Sequence, residues 1–176
     1  MKLSWKRALY VGAFLGGLCG VLGLAIAGGD LLTRETIAAN LVAKENAGLK
    51  KAFAYDGAEF SEPTAVENND RINKYWTVSL ANEEIGRVYS VSGTNAYGNV
   101  SLLVGLEIDT SLYGVVVLEN TESYGQVLDE NYLEPLIGAD DKESAVNNVT
   151  CGATYGAKLC RDLINEAKNH YGGQNA

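Results

Sequence analysis

The sequence predicts an α+β fold: an antiparallel sheet with flanking helices, preceded by one N-terminal transmembrane helix. Three observations carry the prediction. Residues 8–27 hold no charged side chain, residues 75–119 break into short β-type runs around polar turns, and residues 157–167 repeat apolar side chains at helical spacing.

The first element is the span Ala8–Ala27, ALYVGAFLGGLCGVLGLAIA. At a rise of about 1.5 Å per residue it extends about 30 Å, the thickness of a bilayer's hydrocarbon core. Lys2, Lys6 and Arg7 precede it with no acid among them, which assigns residues 1–7 to the cytoplasm and residues 28–176 to the far side of the cell membrane. Trp5 and Tyr10 fall where an interfacial aromatic belt lies. The alternative is a cleavable signal peptide, with Ala25-Ile26-Ala27 as its small-x-small site. Such peptides usually have an apolar core of about 7–15 residues, so the longer run favours a retained anchor. Cys19 follows Leu18 rather than a small residue, which reads as a thiol buried in the span and not a lipidation site.

Charge and cysteine usage narrow the function classes. The chain has 14 basic and 22 acidic residues; setting aside Lys2, Lys6 and Arg7 leaves residues 28–176 with 11 against 22, a net charge of −11. Such a domain has no electrostatic attraction to nucleic acid or anionic lipid, so it is anchored and not adsorbed. Three cysteines with no Cys-x-x-Cys pair, and a single histidine, give no iron–sulfur, haem-attachment or zinc pattern, so no metal ligands are assigned. With His170 as the only imidazole, no base partner stands out for the serines, which argues against a serine hydrolase.

The exported part begins with a helical pattern. Leu32, Ile37, Ala38, Leu41 and Val42 recur at three- and four-residue steps after Thr33, a plausible N-cap, and the helix continues through Lys44 and Glu45 towards Phe53. Tyr55–Asp70 is rich in turn formers (Asp56-Gly57, Pro63, Asn68-Asn69-Asp70) and reads as connection. Tyr75–Leu80 and Ile85–Val91 flank Asn82-Glu83-Glu84 as a hairpin, and Ser101–Ile108 and Tyr113–Glu119 flank Asp109-Thr110-Ser111 as a second. Thr121–Gln126 is a glycine-containing loop and Asp129–Ile137 a short helix. The final helix starts near Thr154 and stops before Gly172-Gly173. It has Ala157, Cys160, Leu163, Ile164 and Ala167 on one face and Lys158, Arg161, Asp162, Asn165 and Glu166 on the other.

The entry to that helix, Asn148-Val149-Thr150-Cys151-Gly152-Ala153-Thr154, is the point of chemical interest. Small residues there let a bulky group approach the backbone, and the free amides of a helix N-terminus favour an anion, with the Thr154 hydroxyl as the place to attach or bind a phosphate. The structural alternative is that Thr150 or Thr154 caps the helix while Gly152 turns the chain. Cys151 and Cys160 lie about two helical turns apart, too far for a bridge, and read as buried thiols. His170 sits in the last turn, where a cation suits the helix dipole at the surface. The ten tyrosines read as core packing.

At these residues the chain resembles the FMN-binding domain of ion-pumping redox complexes, most of all the G subunit of the Rnf-type ferredoxin:NAD oxidoreductase, with the C subunit of the sodium-pumping NADH:quinone oxidoreductase as a cousin. That family's signature is Asp-x-x-Ser/Thr-Gly-Ala-Thr, and Gly152-Ala153-Thr154 matches its end, while Asn148 and Cys151 stand at the Asp and Ser/Thr positions. The likeness covers most of the chain in order. It runs through the N-terminal span, Leu32, Thr33 and Ile37 at a helix entry, Gly86-Arg87-Val88-Tyr89, the turn Gly93-Thr94-Asn95-Ala96-Tyr97-Gly98, and the strand Val104–Ile108. The family's Glu-Thr-Pro-Gly-Leu-Gly loop corresponds to Glu122-Ser123-Tyr124-Gly125-Gln126, which keeps Glu122 and Gly125 and lacks the proline.

The resemblance implies an FMN-binding type of fold and FMN joined by a phosphodiester to Thr154, loaded by a flavin transferase. Gly152, Ala153 and Cys151 would lie beside the attachment point, and Glu122, Ser123, Gly125, Tyr97 and Gly98 against a partly exposed flavin ring. A carboxylate such as Glu122 is either a solvated loop charge or, near the ring, a group that lowers the flavin's potential. Arg87 and Lys74 are possible partners of the phosphate, though no spacing demands it. The implied role is an electron-transfer subunit among the other membrane subunits of an Rnf-type complex, coupling ferredoxin oxidation and NAD reduction to ion transport, a relay and not an enzyme on its own. The alternatives are an extracytoplasmic flavoprotein of another electron-transfer route and a flavin-free structural paralogue.

Overall fold

The computed structural model describes residues 5–174 and separates the chain into two units, Met1–Ala43 and Lys44–Ala176. The first unit belongs to helix α1 (Trp5–Ala52). Within it, Leu9–Gly28 is long and apolar enough to cross a membrane, as a span or as a signal sequence, and none of it is buried inside the protein. Exposed Leu9, Val11, Phe14, Leu15, Leu18, Val21, Leu22, Leu24 and Ile26 set it apart from a core helix, whose apolar side chains would be covered. Helix runs on through Thr33, so that residue does not begin an element as expected: Gly28, Gly29 and Asp30 lower helix propensity by only about 1 kcal/mol per glycine and remove no backbone donor. The side chains of Leu32, Thr33, Ile37, Ala38 and Leu41 lie outside the described residues.

The second unit is a curled antiparallel sheet with helices on both faces. Its strands are β1 (Glu59–Phe60), β2 (Thr64–Ala65), β3 (Ile72–Leu80), β4 (Glu83–Asn95), β5 (Gly98–Glu107) and β6 (Leu112–Asn120), in the order β1-β3-β4-β5-β6, with β2 also pairing β3. The two short strands fall inside the stretch expected as connection; they add to the edge of β3 on either side of Pro63. Both expected hairpins are present with longer arms. The first turns on Ala81-Asn82 and not on Asn82-Glu83-Glu84, because a two-residue turn matching strand twist needs positive φ at both central residues, here +52° and +68°.

The central strands are apolar almost without alternation because both faces are covered. Along β5, Val100, Leu102, Val104 and Leu106 join the core beneath the C-terminal helices, while Leu103 faces the other way, with Leu49, Ala52, Phe53, Trp76, Val78, Val88 and Leu118. A register shift between Ile72 and Lys74 lets Ile72 join the first cluster while Trp76 and Val78 join the second. The last turn of α1 lies directly on the sheet. A Cβ at Gly105 would stand 2.2 Å from the Ala52 carbonyl oxygen, and one at Gly114 would stand 2.7 Å from the same atom.

Beyond β6 come α2 (Gly125–Leu128), a π-turn (Asp129–Leu133), α3 (Glu134–Gly138), α4 (Lys142–Asn147) and α5 (Thr154–Gln174). Helix thus begins at Gly125, inside the expected loop, and widens into the π-turn ahead of Pro135, which has no N–H to return to the preceding turn. Helix α4 is capped by Asp141, whose side chain accepts from the Ser144 N–H at 3.0 Å. Helix α5 buries the expected face, Ala157, Cys160, Leu163, Ile164 and Ala167, and runs through Gly172-Gly173 instead of stopping before them.

Candidate functional site

Three segments distant in sequence meet at the mouth of α5. The first is the β4–β5 hairpin tip. Asn95 pairs with Gly98 across Ala96-Tyr97, and its Oδ1 accepts from the Tyr97 N–H at 2.7 Å and the Gly98 N–H at 3.2 Å. The family-like turn Gly93–Gly98 is therefore mostly strand, with only Ala96-Tyr97 turning. Gly98 is obligatory at this crossing, because a Cβ there would lie 2.5 Å from the Thr121 carbonyl oxygen and 2.6 Å from Glu122 Cα.

The second segment is the loop 121–125, which lies across that tip. The Ser123 N–H and Oγ both donate to the Tyr97 carbonyl, at 2.9 and 3.1 Å. Asn120 fastens the loop from within: its Oδ1 accepts from the Glu122 N–H at 3.2 Å, and its Nδ2 donates to the Gly125 carbonyl at 3.1 Å and to Asp129 at 2.8 Å. The third segment is the turn into α5, where Gly152 takes φ +82°, a left-handed conformation that favours glycine. Ala153 accepts the first helical bond, from the Ala157 N–H at 3.0 Å. Its methyl offers no cap, and neither Thr150 nor Thr154 makes a capping hydrogen bond among the described residues, while Gly152 does turn the chain as the structural alternative has it. Among the described residues, no side chain accepts from the amides of Thr154, Tyr155 and Gly156.

Between these segments opens a cleft of about 220 Å³ lined by Tyr97, Glu122, Tyr124, Gly152, Ala153, Thr154, Tyr155 and Gly156. Of the expected site residues, Thr154, Ala153, Gly152, Glu122 and Tyr97 line it directly. Ser123, Gly125 and Gly98 stand behind the wall as the hydrogen bonds above describe. Cys151 does not line it: its side chain is buried in the main core cluster. Tyr155 and Gly156 are not among the expected residues, and Tyr124 is expected only as part of the loop Glu122–Gly125. Three exposed tyrosine rings collar the opening, with Tyr97 5.5 Å from Tyr155 and 6.3 Å from Tyr124 between centroids. Tyrosines 97, 124 and 155 are therefore not the core packing expected of this residue type, whereas Tyr89, Tyr132 and Tyr171 are.

Glu122 is the cleft's one charged lining residue, and it is not a solvated loop charge: the residue is only 8% exposed. Its Oε1 accepts from Asn95 Nδ2, and Oε2 points at the first turn of α5, where a Cβ on Gly156 would meet it at 2.6 Å. A carboxylate there benefits from the helix dipole. The basic residues considered for a phosphate lie elsewhere. Arg87 pairs with Glu84 at 2.8 Å and stacks on Tyr75 and Tyr171, beside the far end of α5; Lys74 pairs with Glu45 at 2.8 Å.

Cys151 and Cys160 are free, buried thiols, and burial pushes the Cys160 thiol up to about 12, with the nearby Glu122 and Asp129 carboxylates adding to the shift. His170 is not a surface cation. It is half-buried, its Nδ1 lies 3.3 Å from the Tyr89 hydroxyl, and burial together with Arg87 lowers its pKa. Neither a protein-family model nor a curated protein sequence matches the chain.

Proposed function

We propose that the protein is an extracytoplasmic, membrane-anchored electron relay that carries FMN on Thr154 and works beside other membrane subunits of an Rnf-type ion-translocating complex. The observation that carries this reading is the cleft itself. The motif that resembles the covalent flavin signature, the Glu122 loop and the Tyr97-Gly98 turn converge on one opening whose mouth is a helix N-terminus with uncapped amides. In this reading the apolar helix is a retained single-pass anchor with its N-terminus in the cytoplasm.

The residues present fit the group. Gly152 and Ala153 leave the backbone approachable, and Thr154 is partly exposed, with no hydrogen bond to its hydroxyl among the described residues. Three exposed tyrosine rings offer faces and edges to a planar aromatic system. At about 220 Å³ the cleft is smaller than the roughly 300 Å³ at which pockets begin to engulf a ligand, so it supports a seat in which a flavin stays partly open for electron exchange. When bound, the flavin supplies the redox chemistry; the protein holds it in place and sets the local field.

The missing cation supports a covalent tether. With Glu122 as the sole lining charge and a net −11 over residues 28–176, little opposes the escape of a free phosphate. A phosphodiester to Thr154 removes the repeated translational cost of association, on the order of 4–15 kcal/mol, so weak ring contacts suffice. The test is intact mass and in-gel fluorescence after denaturation, on full-length chain produced together with a flavin transferase. The expected result is a gain of one FMN less one water, lost on Thr154→Val. Colourless protein of unmodified mass would refute the reading, and a Thr154→Val chain that still fluoresces after denaturation would refute the attachment point.

A further inference from the structure

Among the described residues, two cations of this chain lie over aromatic rings, and both arrangements have the same parts. The Arg87 guanidinium sits 5.1 Å from the Tyr75 ring and 4.6 Å from the Tyr171 ring, and its Nε donates to Glu84 at 2.8 Å. The Lys74 ammonium sits 5.2 Å from the Trp76 ring and 2.8 Å from a Glu45 oxygen. In each case the ring offers its negative face and the carboxylate offers a charged acceptor. The cleft at the mouth of α5 has the rings and the carboxylate without the cation. Tyr97, Tyr124 and Tyr155 are 41%, 58% and 66% exposed and stand together around the opening. Glu122 lines the same cleft, and its hydrogen-bond partner among the described residues is the neutral Asn95 amide. No Lys, Arg or His lines the cleft, and Arg87 and Lys74 are held by their own glutamates.

We propose that the tyrosine collar is a docking site for an arginine side chain of a protein partner, the guanidinium stacking on the rings and donating to Glu122. A guanidinium suits the site better than an ammonium does, because it is planar, more weakly hydrated and able to stack on an aromatic face while its edge donates hydrogen bonds. The chain itself makes that choice where Arg87 lies against two tyrosines. The source is a protein and not free arginine, since the α-carboxylate of a free amino acid would meet no cation among the lining residues. A net charge of −11 over residues 28–176 draws in a basic protein face, and exposed tyrosines are the residue type concentrated at the centres of protein interfaces. The inference goes beyond the flavin reading and stands on the unloaded chain, because the rings and the carboxylate belong to the protein.

The experiment follows ring-labelled tyrosines by NMR in the full-length chain, produced without a flavin transferase and held in a non-ionic maltoside detergent. Salt at about 0.15 M screens the diffuse attraction of an acidic domain. The probe is the capped tripeptide acetyl-Gly-Arg-Gly-amide, with its citrulline counterpart as the uncharged isostere. The arginine peptide is expected to move the Tyr97, Tyr124 and Tyr155 signals saturably while those of the core residues Tyr89, Tyr132 and Tyr171 stay in place. The citrulline peptide should bind at least about fivefold more weakly, and Tyr155→Leu and Glu122→Gln should each weaken the arginine peptide by about two- to fivefold. Core signals at their wild-type positions show that the variants are folded. No saturable movement, equal binding of the two peptides, or variants that bind as wild type does overturns the inference. Free L-arginine binding more than about tenfold more tightly than the peptide also overturns it, since the cleft would then serve a small molecule. Each of these outcomes leaves the flavin reading to its own test, the mass of the chain produced with a transferase.

Discussion

The seam between α1 and the sheet makes a quantitative test of the fold. Gly105 on β5 and Gly114 on β6 are register partners, and both face the carbonyl oxygen of Ala52. Ordinary van der Waals contact begins near 3.4 Å, and the added Cβ atoms would stand at 2.2 and 2.7 Å, so Gly105→Ala must displace the helix end by about 1 Å and Gly114→Ala by rather less. The obstructing atom is backbone, which has no rotamer to escape into. Overpacking of this kind costs about 1–3 kcal/mol, and Gly105→Ala belongs near the upper end. At about 3 °C per kcal/mol, the expected fall in Tm is roughly 6–9 °C for Gly105→Ala and roughly 3–6 °C for Gly114→Ala. The assay is thermal unfolding of the full chain in detergent followed by circular dichroism, with Gly138→Ala as the control, because a Cβ there meets nothing within 4 Å. The double variant should lose at least about 0.5 kcal/mol less than the two singles together, since one displacement of Ala52 relieves both clashes. Strict additivity, or a Gly105→Ala chain as stable as the control, would refute the seating of α1 on these strands.

Two further outcomes follow from buried groups. Burial keeps the Cys160 thiol protonated, with its pKa pushed up to about 12, so iodoacetamide at pH 8 should leave Cys160 unmodified in the native chain and label it only after unfolding; peptide mass mapping reads this, and rapid native labelling would contradict it. His170 faces Tyr75, Tyr89, Arg87, Glu166 and Gln174, and its pKa is lowered in the fold, by burial first and Arg87 second. The unfolded chain therefore takes up the proton first, and this residue's contribution to stability is complete above about pH 6.5 and is lost as pH falls through the folded value. Wild type should lose more Tm than His170→Gln between pH 7.5 and 5.5; a gap between the two that is independent of pH would show that the histidine does not titrate with unfolding.

The parts of the molecule with strong periodicity were legible from residues alone. An uncharged run as long as a bilayer core, short β-type runs bounded by polar turns and the 157–167 face of α5 each depend on a local pattern that elementary physics reads directly. What stayed hidden was set by partners remote in sequence. Burial of Glu122 requires Asn95, 27 residues earlier, and no periodicity links them. Tyr155 sits one residue after the motif threonine and looks like another core aromatic until α5 is placed, when its position falls outside the buried face. The turn at Ala81-Asn82 was misplaced by one residue because alanine at positive φ is rare, and the sheet's pairing overrides that local preference. Helix α4 was missed because its six residues carry too little repeat to register.

The cleft's walls are fastened independently of anything that sits in it, and this bears on how it works. The hairpin tip is held by the Asn95 side chain, the 121–125 loop by Asn120 and by Ser123 on the Tyr97 carbonyl, and the first turn of α5 by Gly156 against the fully buried Leu128. None of these bonds uses Thr154 or the faces of the three exposed tyrosines. Those groups are therefore available on a frame that already has its shape, and little ordering cost remains for a ligand to meet.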